Sequence, residues 1–372
     1  MALEDLLPRE SERLERGLSL GSDSYTTVGP NVTAMRGLKI TNPPPSLLPY
    51  LVYEYGLGEL TPYVRNLYEL IDEGIDWQRV RGTPAAIAIA LDWLGYAAVI
   101  EEFSTGRRHW NFFQLGLDRE RDREGDLPAI EGVATLSVPL RSVFWRGFHG
   151  YDIRALEYGS GRWGSKLWGA YSGVRLPLGS AKWSFGRRYD IDHVMTEAEL
   201  TALGVWLEPM GERLTWGAFP WPIVPWADAS VIGRSVVMVE ALLGLLGGKP
   251  AWAVFRDAGG DVIGYRRARV RRTVALASSG IYRVGGTSLV LKPETATMIY
   301  VEAMTGFGDG FGSEAESVGF ILGSEVAPSY PPGALWLPPD GLVDSGPIVA
   351  ETPITIEFGR TVRERVCALL RF

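Results

Sequence analysis

Few residue groupings in this chain could carry chemistry. Asp190-Ile191-Asp192-His193 offers two carboxylates on one side of an extended strand with an imidazole beside them, the donor types that a divalent cation takes. The same residues also read as a turn ahead of a helix capped by Thr196, with Glu197 and Glu199 in its first turn, and that account needs no metal. His109, His149 and His193 lie far apart in a sequence whose one cysteine is Cys367, so an ordinary zinc site lacks its ligand cluster. Gly159-Ser160-Gly161-Arg162-Trp163-Gly164 fits G-x-G-x-x-G, but no apolar strand precedes it and no helix pattern opens on it. Glu101-Glu102 would need another acid across a cleft to cleave a glycoside, and Asp309 in its glycine-rich turn lacks the other ligands of a calcium loop. No G-x-S-x-G elbow occurs. The expectation is therefore no catalytic residue, no metal and no cofactor.

The elements around these residues are more informative. The 372-residue chain has a net charge of -7 and no basic arm, so neither nucleic acid nor a membrane surface is expected as a partner. Its longest apolar run, Val236 to Leu246, is interrupted by Glu240 and Gly244 and is too short to span a bilayer. A lone cysteine fits folding in a reducing cytosol.

Three short amphipathic helices are predicted between Pro43 and Tyr96. In the first, Leu47, Leu48, Leu51, Val52 and Tyr55 make one stripe. The second, near Pro62 to Glu73, groups Val64, Leu67, Leu70 and Ile71. The third has the clearest ends, with Thr83 as N-cap, Pro84 where no N–H is needed and Gly95 suited to a left-handed stop. Ile87, Leu91 and Leu94 form its core stripe, and Ala85, Ala86, Ala88 and Ala90 offer a flat face. Helices of about three turns are marginal alone, so these stripes must be buried on one another or on a partner.

Residues 1–46 read as a charged helix, with Leu6, Leu7, Leu14 and Leu18 among its charges, followed by an extended arm. Residues 47–100 are the helical block, and 101–229 an aromatic and glycine-rich β platform. In that platform the run Asp118 to Asp126 is expected as a solvated loop, and Trp145, Trp163, Trp168 and Trp183 as interface or small-core rings. Residues 230–372 read as a mainly-β domain, sandwich-like or barrel-like, with Ser230 to Leu246 helix or buried strand. In its last strand Val362, Val366, Ala368, Leu370 and Phe372 share a face, as in a half-buried strand. The fold class is α+β.

Leu6-Leu7-Pro8-Arg9-Glu10-Ser11, Pro45-Ser46-Leu47-Leu48-Pro49-Tyr50-Leu51, and Arg79-Val80-Arg81-Gly82-Thr83-Pro84 before a helix ending Leu94-Gly95 carry a resemblance in their order. The chain resembles the tail protein I family of bacteriophages, a baseplate component of long-tailed phages, over about its first hundred residues. Tyr50 or Tyr53 stands where members often carry tryptophan. The resemblance implies a structural virion protein of the baseplate wedge, made in the host cytoplasm, whose helices join two copies of a partner wedge protein as a heterotrimer and whose remainder reaches toward a tail fibre. The interface residues expected on this basis are Leu47, Leu51, Tyr55, Leu67, Ile71, Ile87, Leu91, Leu94, Trp145, Trp163, Trp168 and Trp183. Thr83→Pro or Leu91→Asp should then abolish tail assembly while expression persists. The alternative is a tail-tip carbohydrate-binding or depolymerising protein with Trp145, Trp163, Trp168 and Trp183 as its sugar platform.

Overall fold

A computed structural model describes residues 7–8, 10–22, 28–32, 35, 39, 43–102, 110–154, 171–177, 179, 181–209 and 229–372, apart from the side chains of 229–232 and 270–271. The fold is α+β, with N-terminal helices followed by a large sheet. It divides into two compact units, residues 1–95 with 132–140, and residues 96–131 with 141–372.

The first unit holds α1 (Arg13–Gly21), α2 (Leu48–Glu54), a 3-10 turn at Gly58–Leu60, α3 (Leu67–Val80) and α4 (Pro84–Asp92). It also holds the end of α5 (Asp126–Ser137). Helix α4 starts where Thr83 and Pro84 place it, and Gly95 takes φ +72, the left-handed conformation that glycine adopts without a Cβ penalty. Thr83 is extended at φ -116 and ψ 163, and its hydroxyl donates to Val80 O at 2.7 Å. Helix α3 begins later than its apolar spacing suggests, because Asn66 Oδ1 accepts the Tyr68 N–H at 3.1 Å and so caps the helix there.

The second unit is built on one sheet. Its strands are β1 (Ala98–Glu102), β2 (Phe112–Leu117), β3 (Val143–Gly150), β4 (Val174–Arg175), β5 (Lys182–Val194), β6 (Ala251–Arg256), β7 (Val262–Leu276), β8 (Tyr282–Val284), β9 (Thr287–Leu291), β10 (Met298–Met304), β11 (Glu314–Leu322), β12 (Trp336–Leu337), β13 (Ile348–Glu357) and β14 (Val362–Arg371). The main path runs β1-β2-β3-β5-β14-β10-β7-β6-β11-β13, with β4, β8, β9 and β12 attached to it. The pairs β2–β3, β3–β5 and β5–β14 are parallel, and the other pairs are antiparallel. Pairing of β5 with β14 carries the sheet across residue 230, so the platform and C-terminal stretches supply strands to the same sheet. The path has β1 and β13 as its ends.

Residues 230–246 are helical, within α7 (Ala229–Leu246). Met238, Val239, Leu242 and Leu246 of α7 pack with Leu200 of α6 (Glu197–Ala202) and with Val366, Ala368 and Leu370 on one face of β14. The other face is also covered: Cys367 and Leu369 are fully buried with Val274, Val284, Leu289 and Tyr300. Strand β14 is thus buried on both faces, because the β8–β9 hairpin closes the face expected to meet solvent. Among the described residues, no helix is long and apolar enough to cross a membrane.

Candidate assembly surface

The stripes of the helical unit are largely covered within this chain. Leu51, Ile71, Ile87 and Leu91 are buried there, with Leu91 only 1% exposed, while Leu47, Tyr55, Leu67 and Leu94 are half-buried. Full burial of a leucine-sized side chain contributes roughly 1.5–3 kcal/mol, so these stripes stabilise the unit itself. Ala86 and Ala90 of the expected flat face are buried too, leaving Ala85 and Ala88 outside. A returning segment, residues 132–140, completes the packing with buried Val133, Ala134 and Ser137. Trp77 Nε1 donates to Ser137 Oγ at 3.0 Å, Arg81 Nε to Leu136 O at 3.0 Å, and Gly82 N to Ser137 O at 2.9 Å. The expected interface leucines and isoleucines are therefore mainly core, and a partner would meet the surface around them.

Other apolar side chains are left in water. Helix α1 has no buried residue, although it is well ended by the Glu12 N–H donating to the Glu15 carboxylate at 3.0 Å. Leu14 and Leu18, one turn apart, are 71% and 64% exposed, and Leu20 is exposed beside them. On α2, Tyr50 and Tyr53 project from the side opposite Leu48, Leu51 and Val52, and Tyr53 is 88% exposed. A scattered exposed leucine needs no explanation, but a capped helix with its whole apolar stripe exposed does.

In the sheet unit, Trp183 is fully buried, stacked on Phe185 at 6.1 Å and edge-on to Phe144 at 5.7 Å, so it has no face to offer a sugar. Trp145 is half-buried against Tyr171, and Trp163 and Trp168 lie outside the described residues. The G-x-G-x-x-G segment and His109 also lie outside them. Sequence reasoning missed a buried polar network here. The Arg146 guanidinium is paired with Asp152, donates to Ser172 O at 2.7 Å and Gln114 Oε1 at 3.2 Å, and lies over Phe148 at 5.1 Å. Gln114 in turn donates to Glu101, which pairs with Arg154 at 2.9 Å. Burial works to raise the Glu101 carboxyl, but Arg154 and Gln114 outweigh it and hold it below its usual range. The one available signal was an arginine set in an otherwise apolar and aromatic strand, Phe144-Trp145-Arg146-Gly147-Phe148.

The Asp190-Ile191-Asp192-His193 donors do not converge. Asp190 pairs with Arg188, Asp192 with Arg371, and His193 Nε2 meets Glu199 at 2.9 Å. Thr196 does cap α6, its hydroxyl accepting the Glu199 N–H. Burial would raise the Glu199 carboxyl, yet hydrogen bonds from His193, Thr196 and the Ala350 N–H hold it down at about 2. Asp309 pairs with Arg266 at 2.6 Å and accepts from Gly306 N at 2.6 Å, so its turn is braced by an arginine. The charge run 118–126 is not simply solvated either: Glu120 and Arg121 are mostly buried in ion pairs with Arg187 and Glu124.

Residues 7–138 match the family model described as Phage tail protein (Tail_P2_I). The match extends past the first hundred residues that carry the motifs, and the returning segment gives a physical reason, since it completes the helical core. No curated protein matches the sequence. With its leucine-proline start, its Thr83-Pro84 helix and its returning segment inside the matched span, the N-terminal region of the chain, residues 7–138, is similar to the phage tail protein I family, which points to a structural role in the virion tail.

Proposed function

We propose that the protein is a baseplate wedge component that links the tail hub region to the outer baseplate or tail fibres, acting by assembly and without catalysis. Its partners in this reading are two copies of another wedge protein, forming a heterotrimer, with the tail fibre as an outer neighbour. It is made in the host cytoplasm and ends in the tail baseplate.

The observation that carries this reading is α1. A helix of this length is not stable alone in water, and α1 has no buried residue, whereas the stripes of α2 to α4 are largely buried within the chain. Covering Leu14 and Leu18 on neighbouring helices would stabilise it, and Arg13, Glu15 and Arg16 beside them would select the register. Tyr50 and Tyr53 are the aromatic anchors that interface centres favour. A photo-crosslinking residue placed at position 18 and activated in intact particles tests this directly. A discrete adduct with another tail protein is expected; particles that yield only the unlinked chain would overturn the proposal.

A further inference from the structure

The run 118–126 is a strap tied down by charge. At one end Ala97 N donates to Asp118 Oδ1 at 3.0 Å, and at the other the Tyr96 hydroxyl donates to Asp126 Oδ2 at 3.0 Å. In the middle, Arg187 of β5 holds Glu120 through Nε at 2.6 Å and Nη2 at 2.8 Å, while its Nη1 donates to Glu357 O at 3.0 Å. Arg121 bridges Glu120 and Glu124 and lies over Phe185 at 5.8 Å, and Glu124 accepts the Arg360 N–H at 2.6 Å. A cleft of about 470 Å³, lined by Arg121, Glu124, Arg187 and Phe358 among others, opens beside them.

One carboxyl group of this cluster is badly served. Glu364 of β14 is 1% exposed and neither carboxylate oxygen has a hydrogen-bond partner. Arg187 Nη1 comes only to 3.6 Å, because its donors are committed to Glu120 and Glu357. Two guanidiniums, Arg121 and Arg187, face three carboxyl groups, Glu120, Glu124 and Glu364. Of the three carboxyl groups Glu364 is the fully buried one and the one without hydrogen bonds, so it carries the largest cost of ionisation.

We propose that Glu120 and Glu364 compete for Arg187, so that the strap is closed while Glu364 is protonated and is released when Glu364 ionises and draws Arg187 to itself. Burial, ahead of the attraction of Arg187, pushes the Glu364 carboxyl up to about 7, which puts the exchange near neutral pH. Tyr189 on β5 and Tyr151 after β3 also feel its charge, Arg363 and Arg365 flank it on β14, and Glu302 on β10 is paired with Arg365. Both tyrosines are pushed up to about 12 and keep their protons throughout this range.

The sign follows from proton linkage. The closed form binds the Glu364 proton more tightly than an opened, hydrated form whose carboxyl returns toward 4.5. Closure therefore weakens as pH rises from the ordinary carboxylate range to about 7 and is constant above it, with the opened fraction growing at most about tenfold per pH unit.

Amide exchange of peptides covering 118–126, measured on the full chain between about pH 5.5 and 8 and corrected for intrinsic exchange rates, tests this. Opening should rise to about pH 7 and then level off. Glu364→Gln should hold the strap at its low-pH protection at every pH, and Glu120→Gln should leave it open throughout. A flat wild-type profile, a slope that survives in Glu364→Gln, or wild-type protection in Glu120→Gln would each overturn the switch. Should Glu364→Gln fail to fold, the wild-type slope and Glu120→Gln still decide it.

Discussion

The stripes of α2 to α4 and the stripe of α1 have the same make-up, leucine and its relatives at helical spacing among charges, but opposite fates. Leu51, Ile71, Ile87 and Leu91 are buried within their own unit, while Leu14 and Leu18 stand in water. The first group is covered because a segment more than thirty residues downstream, 132–140, returns to close the core; the second has no such cover among the described residues. Amphipathicity in the sequence thus marks surfaces that need covering without saying what covers them.

The contrast can be broken or sharpened by substitution. The largest effect is expected from Leu91→Asp, which adds a buried charge to the loss of a core side chain and should exceed the about 2–5 kcal/mol of a leucine truncation. The helical unit should lose its cooperative thermal transition, so this variant would fail in assembly by unfolding, with no bearing on a partner. Ser137→Ala should cost about 1–3 kcal/mol by leaving the buried Trp77 N–H without its acceptor, read as a lowered denaturation midpoint. An unchanged midpoint would mean that the returning segment does not close the core.

Acid should separate the two units. Glu199, held at about 2, adds stability to the sheet unit that is complete above the usual carboxylate value of 4.5 and is lost as pH falls from there toward 2. The Trp77–Ser137 bond of the helical core has no such titration. Amide exchange as a function of pH should therefore show strand protection around Ala350 falling before that of α3, and Glu199→Gln should flatten the difference. The smallest stability effect, within about 0.5 kcal/mol, is expected from Leu14→Asp with Leu18→Asp on the exposed stripe.

Much of the helical unit was legible because its signals are local. Thr83-Pro84 and Gly95 bound α4, although the Thr83 hydroxyl turns back to Val80 O instead of capping the helix, and α3 departed from its apolar spacing because the Asn66 cap overrode it. The sheet order was not legible, since β5 and β14 pair in parallel across more than 160 residues and no short-range pattern encodes that choice. Nor could strand periodicity reveal that Cys367 and Leu369 would be covered by the β8–β9 hairpin. Charge misled in the same way: the 118–126 run reads as solvent-facing, yet its Glu120 is matched by Arg187, distant in the sequence. The proposed docking stripe was half visible, because Leu14 and Leu18 read as leucines of a charged short helix while their exposure depends on everything else in the fold.

The most direct measurement is complementation of a phage lacking this gene with the Leu14→Asp, Leu18→Asp double variant, alongside thermal unfolding of the purified chain. Unchanged unfolding together with loss of the protein from assembled tails is expected. Normal unfolding with normal incorporation would contradict the assignment of α1 as the docking element.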